Sequence, residues 1–542
     1  MTEEIVYNGQ TYASMDEAFH AACETVRAKD DLPEKKSVRP PDFSDAGNAN
    51  VFVREYKDDL IFVDALGWLW WNGQNWERDD HQALGMGIDL SARMWLEAAM
   101  ENKEAKRQEA EAIAKCDETG ADQDKSALTA IRENVVKPAK AFLAHAKKTR
   151  GEVQIRHMLT LAKPALVLKA DQLDANPYDL NTPAGIVDLR TGAIRTHDRK
   201  AYCTQITSCA PGPQGKEKLD DFLDWVTCHD RDLEGYLQRV FGMAAIGEVL
   251  EEILVILNGG GKNGKTTFTN SMQLVMGTYA ITFDASVLTT SRNTNKGATL
   301  ATLRGKRLAI AGELEENQRL SGSFLKRVAS TDMMTIEEKY KQPETIKPTH
   351  TPIMFTNFLP RIFSRDNGTW RRLAIVPFNA VVSKGSDIKN YGEVLFREAG
   401  PAAMAWIIEG AVDFIRRGCR LDPPAAVLDA VEQYRHQEDW LEHFIEDRCE
   451  KGPNFRERSS MLYAAYKDWC QVNNEFCLSK NDFSPAVERA GYQKKILSGR
   501  QTFYGLRLSD PNAETSRSSK EMYFDRDGLG VIPGDTEPEL LP

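Results

Sequence analysis

Residues Glu252 to Gly277 place an apolar run, a glycine-rich loop and a helical pattern in immediate succession, which restricts the fold more tightly than any other stretch of the chain. Ile253-Leu254-Val255-Ile256-Leu257 has the length and composition of a buried strand. The loop Gly259-Gly260-Gly261-Lys262-Asn263-Gly264-Lys265-Thr266-Thr267 then satisfies G-x-x-x-x-G-K-[ST] without a mismatch. Glycines there let backbone N–H groups converge on phosphate oxygens that side chains would obstruct. The loop is therefore expected to hold ATP. Lys265 would reach the β- and γ-phosphates and the Thr266 hydroxyl would ligate Mg²⁺. A helix from Thr266 to Met276, closed by Gly277, would point its positive end at the same anion.

Three later segments fit a hydrolytic site. Leu308-Ala309-Ile310-Ala311-Gly312-Glu313 is a short apolar strand ending in an acid, with Glu315 and Glu316 close behind. Phosphoryl transfer needs a carboxylate at such a strand end to hold the metal ion and another group to orient the attacking water. Glu313 is the main candidate for metal and base, with Glu315 and Glu316 as alternates. Pro352 to Asn357 predicts a strand whose terminal amide, Asn357, can reach the γ-phosphate or the lytic water. Arg371 and Arg372 precede the strand Ala374 to Phe378, and either can serve as an arginine finger. A hairpin over Met334 to Pro348 carries Lys339 and Lys341 at its turn.

The remaining chain bounds the setting. Its 542 residues suffice for three or four domains, and 42% hydrophobic with 27% charged residues is a globular composition. No run reaches the roughly 18 apolar residues of a membrane span. With a polar N-terminus this predicts a cytoplasmic protein without membrane partners. Nine cysteines with no C-x-x-C pair argue for reduced thiols and against zinc. The net charge of −11 is unevenly spread: Ala490 to Leu508 holds Lys494, Lys495, Arg500 and Arg507 and no acid. Residues 1–50 are polar and proline-punctuated, predicting an arm, in part disordered. Leu60 to Trp76 predicts strands around an Asn-Gly turn with tryptophans packing a small core, and Ile88 to Thr149 predicts two helices. Three D-x-D pairs, Asp122/Asp124, Asp230/Asp232 and Asp525/Asp527, are better explained as solvated or capping acids than as a two-metal site.

The set Gly259-x4-Gly264-Lys265-Thr266, Leu308 to Glu313, Thr356-Asn357 and Trp370-Arg371-Arg372 resembles superfamily 3 helicases, and most of all the phage and plasmid primase-helicase group to which the poxvirus primase-helicase is related. Asn176 to Asn181 and Gly185 to Gly192 are similar to the region preceding the ATPase in that group, and Tyr434 to Leu508 to its C-terminal winged helix. The resemblance implies an α/β fold: an AAA+-like P-loop ATPase core (216–385), an α+β N-terminal domain (51–215), a helical connection (386–450), a winged helix (451–510) and an acidic tail (511–542). It further implies a replicative DNA helicase of a phage, prophage or plasmid in a bacterial host, working as a homo-oligomer, a hexameric ring, on single-stranded and forked DNA. Separate primase or replication proteins would be its partners. Lys339 and Lys341 would grip DNA in the channel, and Lys494, Lys495 and Arg500 would contact it from the winged helix. The alternative is a nucleotide-dependent replication initiator, or a primase-helicase component with little unwinding activity of its own.

Overall fold

The computed structural model of the chain describes residues 5–28, 36–290, 296–314, 318–336, 344–362, 367–382, 388–438, 440–473, 477–497 and 499–509. Chain contacts divide it into two units, Met1–Val431 and Glu432–Pro542.

The first unit is organised around a five-stranded sheet. Its strands are β1 (Leu254–Asn258), β2 (Ala280–Phe283), β3 (Leu308–Ala311), β4 (Thr351–Thr356) and β5 (Leu373–Pro377), in the order β2-β3-β4-β1-β5. All four pairings are parallel. Parallel sheets are covered on both faces, which explains why β1, β3 and β5 read as unbroken apolar runs rather than alternating ones. Helix Lys265–Met276 packs Phe268, Met272 and Val275 into the same core as Val255, Ile310 and Val376, joined by helices Arg231–Ala245 and Tyr391–Arg416. This order sets β4 beside β1 and leaves β3 next outward, so the C-terminal ends of three strands open onto one edge. In open parallel sheets ligands bind at that edge.

Upstream, residues 5–28 depart from the expected arm. Strands Ile5–Tyr7 and Gln10–Tyr12 pair, and helix Met15–Ala28 buries Ala18, Phe19, Ala22 and Val26. The spacing of those residues is that of an amphipathic helix, which the surrounding polar composition obscured. They join a core with Phe52, Ile88, Met94, Phe142 and Met158. The three-stranded sheet Leu60–Val63, Gly67–Trp71 and Trp76–Arg78 turns at Asn72-Gly73, and Trp68 and Trp76 are buried, as expected of packing tryptophans. Helix Asp80–Thr119 ends on Gly120 in the left-handed region, and helix Asp122–Ile131 follows almost at once. The Asp230 side chain caps helix Arg231–Ala245 by accepting from Asp232 N and Leu233 N, and Asp122 starts helix Asp122–Ile131.

Between that region and the sheet lies an antiparallel set, Asp179–Thr182, Gly185–Asp188 and Ala193–Arg195. The buried Arg307 ties it to the five-stranded sheet. Its guanidinium donates to Ala245 O at 2.7 Å and to Asp179 O at 2.8 Å, and lies 4.5 Å from the centre of the Tyr279 ring.

The second unit runs helix Trp440–Arg448, strand Cys449–Arg458, helices Ser459–Val472 and Lys480–Arg489, and strands Lys494–Leu497 and Arg500–Leu508. The strands form one antiparallel sheet. Trp440, Phe444, Tyr466, Trp469 and Phe483 make its aromatic core. The tail 511–542, Asp525 and Asp527 included, lies outside the described residues. No helix among the described residues is long and apolar enough to cross a membrane.

Candidate active site

The loop between β1 and helix Lys265–Met276 takes a shape that its glycines permit. Gly261, Lys262 and Gly264 all have positive φ, at 97°, 48° and 82°. A Cβ at Gly259 would lie 2.1 Å from Asn263 Nδ2 and 2.2 Å from Phe378 O, so no larger residue fits unless the loop moves. Gly264 combines φ of 82° with an outside neighbour, since a Cβ there would lie 2.9 Å from the Trp225 ring. Asn263 is buried and donates to Phe378 O at 2.8 Å, fastening the loop to the chain just beyond β5. The backbone adds a second fastening, Val382 N to Lys262 O at 3.0 Å.

Lys265 is buried at the start of its helix. Its ammonium donates to Gly259 O at 2.7 Å, to Asn263 Oδ1 at 2.8 Å and to Asn357 Oδ1 at 3.1 Å. Burial holds its pKa below the usual lysine value, and the Glu313 carboxylate opposes that shift. Asn357, just past the end of β4, donates through Nδ2 to Glu313 Oε1 at 3.3 Å. A polar chain Lys265–Asn357–Glu313 thus runs across the ends of β1, β4 and β3. The strand order explains it: β4 separates β1 from β3, so the residue at its end is placed to bridge the other two.

A cavity of about 840 Å³ opens on this chain, lined by Gly261 to Thr267, Glu313 and Asn357. Thr266 and Glu313 are exposed within it. One hydroxyl and one carboxylate suit Mg²⁺, which binds few protein ligands and completes its octahedron with phosphate and water. The opposite wall escaped sequence reasoning. It comes from helix Lys216–Val226, with Phe222 and Trp225, and from Val381, Val382, Ile388 and Tyr391. Periodicity identifies that helix but gives no sign that its outer face borders a nucleotide loop about 40 residues later.

The two arginines differ. Arg372 is buried, donates to Gly368 O at 2.8 Å and forms an ion pair with Glu252. The Arg371 side chain is 68% exposed and lies 3.6 Å from the same carboxylate. Glu315, Glu316, Lys339 and Lys341 fall outside the described residues. The hairpin beneath those lysines is present as the pair Met334–Ile336 and Glu344–Ile346.

In the second unit, Lys494 lies 3.4 Å from Glu488 and is mostly covered, whereas Lys495 and Arg500 are exposed. Arg507, on the next strand, pairs with Glu450 at 2.6 Å and stacks 4.0 Å over Phe455.

Comparison with known proteins finds matches to two segments of the first unit. A family model described as D5 N terminal like matches residues 49–228, and a family of unknown function (DUF5906) matches residues 257–372. The chain is 26% identical over 326 residues to "Putative helicase L207/L206" of Acanthamoeba polyphaga mimivirus, covering 56% of this chain and 34% of the relative. It is 25% identical over 330 residues to "Putative primase C962R" of African swine fever virus, again covering 56% and 34%. The chain therefore spans about a third of the length of these curated relatives. Among solved structures, the apo structure of the NrS-1 C terminal region (305-718) matches 55% of this chain and 77% of that one, with 12% identity and a TM-score of 0.34. The D5 N-terminal-like segment and the viral helicase and primase relatives together support placing the chain in a primase-helicase family.

Proposed function

We propose that the chain is the ATP-hydrolysing motor of a DNA replication helicase of the superfamily 3 type, with an AAA+-like core and a C-terminal winged helix. The reading rests on one observation above the others, the hydrogen-bonded chain Lys265–Asn357–Glu313 at the C-terminal edge of a parallel sheet. Lys265 and the loop N–H groups bind the phosphates, while Thr266 and Glu313 would hold Mg²⁺, whose contribution there would be charge neutralisation. Glu313 also orients the attacking water. Asn357, bonded to both Lys265 and Glu313, registers whether a γ-phosphate is present.

Arg371 is the finger. Arg372 is committed to Glu252 within its own chain, whereas Arg371 stands exposed beyond the sheet, where it can reach nucleotide on a neighbouring subunit of a ring. Lys339 and Lys341 contact DNA in the channel, and Lys495 and Arg500 contact it from the second unit.

The test is ATP turnover with and without single-stranded DNA, alongside unwinding of a fork. DNA-stimulated hydrolysis that Lys265→Ala abolishes, with unwinding, is the expected result. Nucleotide binding without stimulated turnover or unwinding would favour a nucleotide-dependent initiator instead.

A further inference from the structure

The sheet of the second unit has two unlike faces. Residues directly opposite one another on antiparallel strands share a face. One face carries Phe503, flanked by Glu457 on strand Cys449–Arg458 and by Lys494 on strand Lys494–Leu497. It is the inner face, since Phe503 is fully buried and Lys494 pairs with Glu488 of helix Lys480–Arg489. The other face carries Thr502 between Arg458 and Lys495, with Arg456 beside Tyr504 one step along the strand and Arg500 beside Leu497 one step back. Arg456, Arg458, Lys495 and Arg500 are all exposed, and no ion pair engages any of them among the described residues. Glu450, further along the outer strand, is already taken by Arg507. The basic stretch from Ala490 to Leu508 thus gains two arginines from an upstream strand, and the four cations frame one half-buried ring, Tyr504.

We infer that this outer face is a platform for single-stranded DNA, on which an unpaired base stacks against Tyr504 while Arg456, Arg458, Lys495 and Arg500 hold the phosphates around it. The inference rests on the reading that the second unit contacts DNA, and goes beyond it in the residues used and in the form of DNA selected. Four unpaired cations attract any phosphate backbone. Two features select the single strand. Three strands set the outer backbones about 10 Å apart before side chains are added, whereas the major groove, about 12 Å wide, admits one helix or a two-stranded ribbon. The face therefore cannot enter a duplex to reach its bases. An unpaired base, by contrast, offers a free π-face, and an aromatic ring among cations is the arrangement that takes it, whatever the base.

Lys495 shows that the ring is already used in this way. Its ammonium lies 5.5 Å from the centre of the Tyr504 ring, held by the electron-rich face. A base arriving on the ring displaces that ammonium toward the phosphate joined to the base, so one lysine serves the ring when the face is empty and the backbone when it is filled.

The test is binding of the full chain to a labelled single strand and to a blunt duplex of the same length, at several salt concentrations. Tyr504→Leu should weaken single-strand binding about tenfold through lost stacking and leave duplex binding within about twofold, while Tyr504→Phe preserves both. Arg456→Ala/Arg458→Ala should lower the slope of log affinity against log salt for the single strand by about 1.4, or about 0.7 per phosphate contact. Irradiating a bound strand that carries 5-iodouracil should cross-link it to Tyr504, a readout that DNA held elsewhere on the chain does not mask. Cross-links that miss strand Arg500–Leu508, equal losses of single-strand and duplex binding in Tyr504→Leu, or an unchanged salt slope in the arginine variant would each overturn the platform. Lys495→Ala/Arg500→Ala tests the underlying reading separately, since it should weaken both forms of DNA. If it weakens neither, the second unit does not contact DNA and that reading fails. If it weakens both while Tyr504→Leu weakens neither, the phosphate contacts stand and the platform falls.

Discussion

Arg372 and Glu252 form an ion pair at the entrance to β1, where Leu254 N also donates to Arg372 O at 2.7 Å. Glu252 thereby anchors one arginine of an adjacent pair and leaves the other in solvent. Two residues that look interchangeable in sequence acquire separate duties.

Arg371→Ala should therefore lower kcat by about 10³-fold with little change in ATP affinity or melting temperature, as expected of a finger. Arg372→Ala should instead cost about 2 kcal/mol of stability, because it strands a partly buried carboxylate. Urea melts and steady-state kinetics on both variants separate the two. Mixing inactive Lys265→Ala subunits with inactive Arg371→Ala subunits should restore ATPase activity at interfaces that pair an intact loop with an intact finger. Co-assembly without any recovery would show that Arg371 acts within its own chain.

Within the polar chain at the strand ends, each residue fails differently. Lys265→Ala should abolish nucleotide binding, and Glu313→Gln should bind ATP while turning over at least about 10²-fold more slowly. Asn357→Ala should retain binding and uncouple hydrolysis from DNA. Normal turnover by Glu313→Gln would transfer the base role to Glu315 or Glu316.

His350 gives a pH signature in stability. It is fully buried just before β4, and burial pushes its pKa down to about 4, with the Val328 backbone giving only partial compensation. An unfolded histidine titrates near 6.5. Between pH 6.5 and 4 the unfolded chain thus binds the extra proton, so stability falls as pH falls through that window. His350→Leu should remove about 2 kcal/mol of this acid sensitivity, read from denaturation midpoints at pH 7 and pH 4.5. Identical pH profiles for the two proteins would rule out His350 as the source.

For DNA, availability of the charge decides the expectation. Lys495→Ala and Arg500→Ala together should reduce the salt dependence of duplex binding by a slope of about 2, near one unit per phosphate contact. Arg507→Ala should leave the slope unchanged, since Glu450 and Phe455 already occupy that guanidinium.

The phosphate-loop core was readable in sequence because each of its parts is local. An apolar run followed by Gly259-x4-Gly264-Lys265-Thr266 can hardly be anything but strand, loop and helix, and the helix does end at Met276 with Gly277 as its cap. Glu313 and Asn357 could be picked out because they terminate apolar strands. Their meeting could not, because it depends on β4 lying between β1 and β3, a fact of strand order that no local pattern encodes. The choice between Arg371 and Arg372 was closed for the same reason, since Glu252 is over a hundred residues away in the chain. At the N-terminus the failure was one of averaging. The apolar stripe Ala18, Phe19, Ala22 and Val26 was present but diluted by the polar residues around it.

Arg307 carries a further consequence. It lies in the segment matched by one family model, and the Asp179 carbonyl that receives it lies in the segment matched by the other. Matches that look like two beads on a string are thus riveted through a charge with no access to water. Grafting residues 257–372 alone onto a chain whose backbone presents no carbonyls at these two places would leave a stranded cation where the two parts meet. The unit that these bonds hold together runs from the hairpin Asp179–Asp188 through β5, longer than either match delimits.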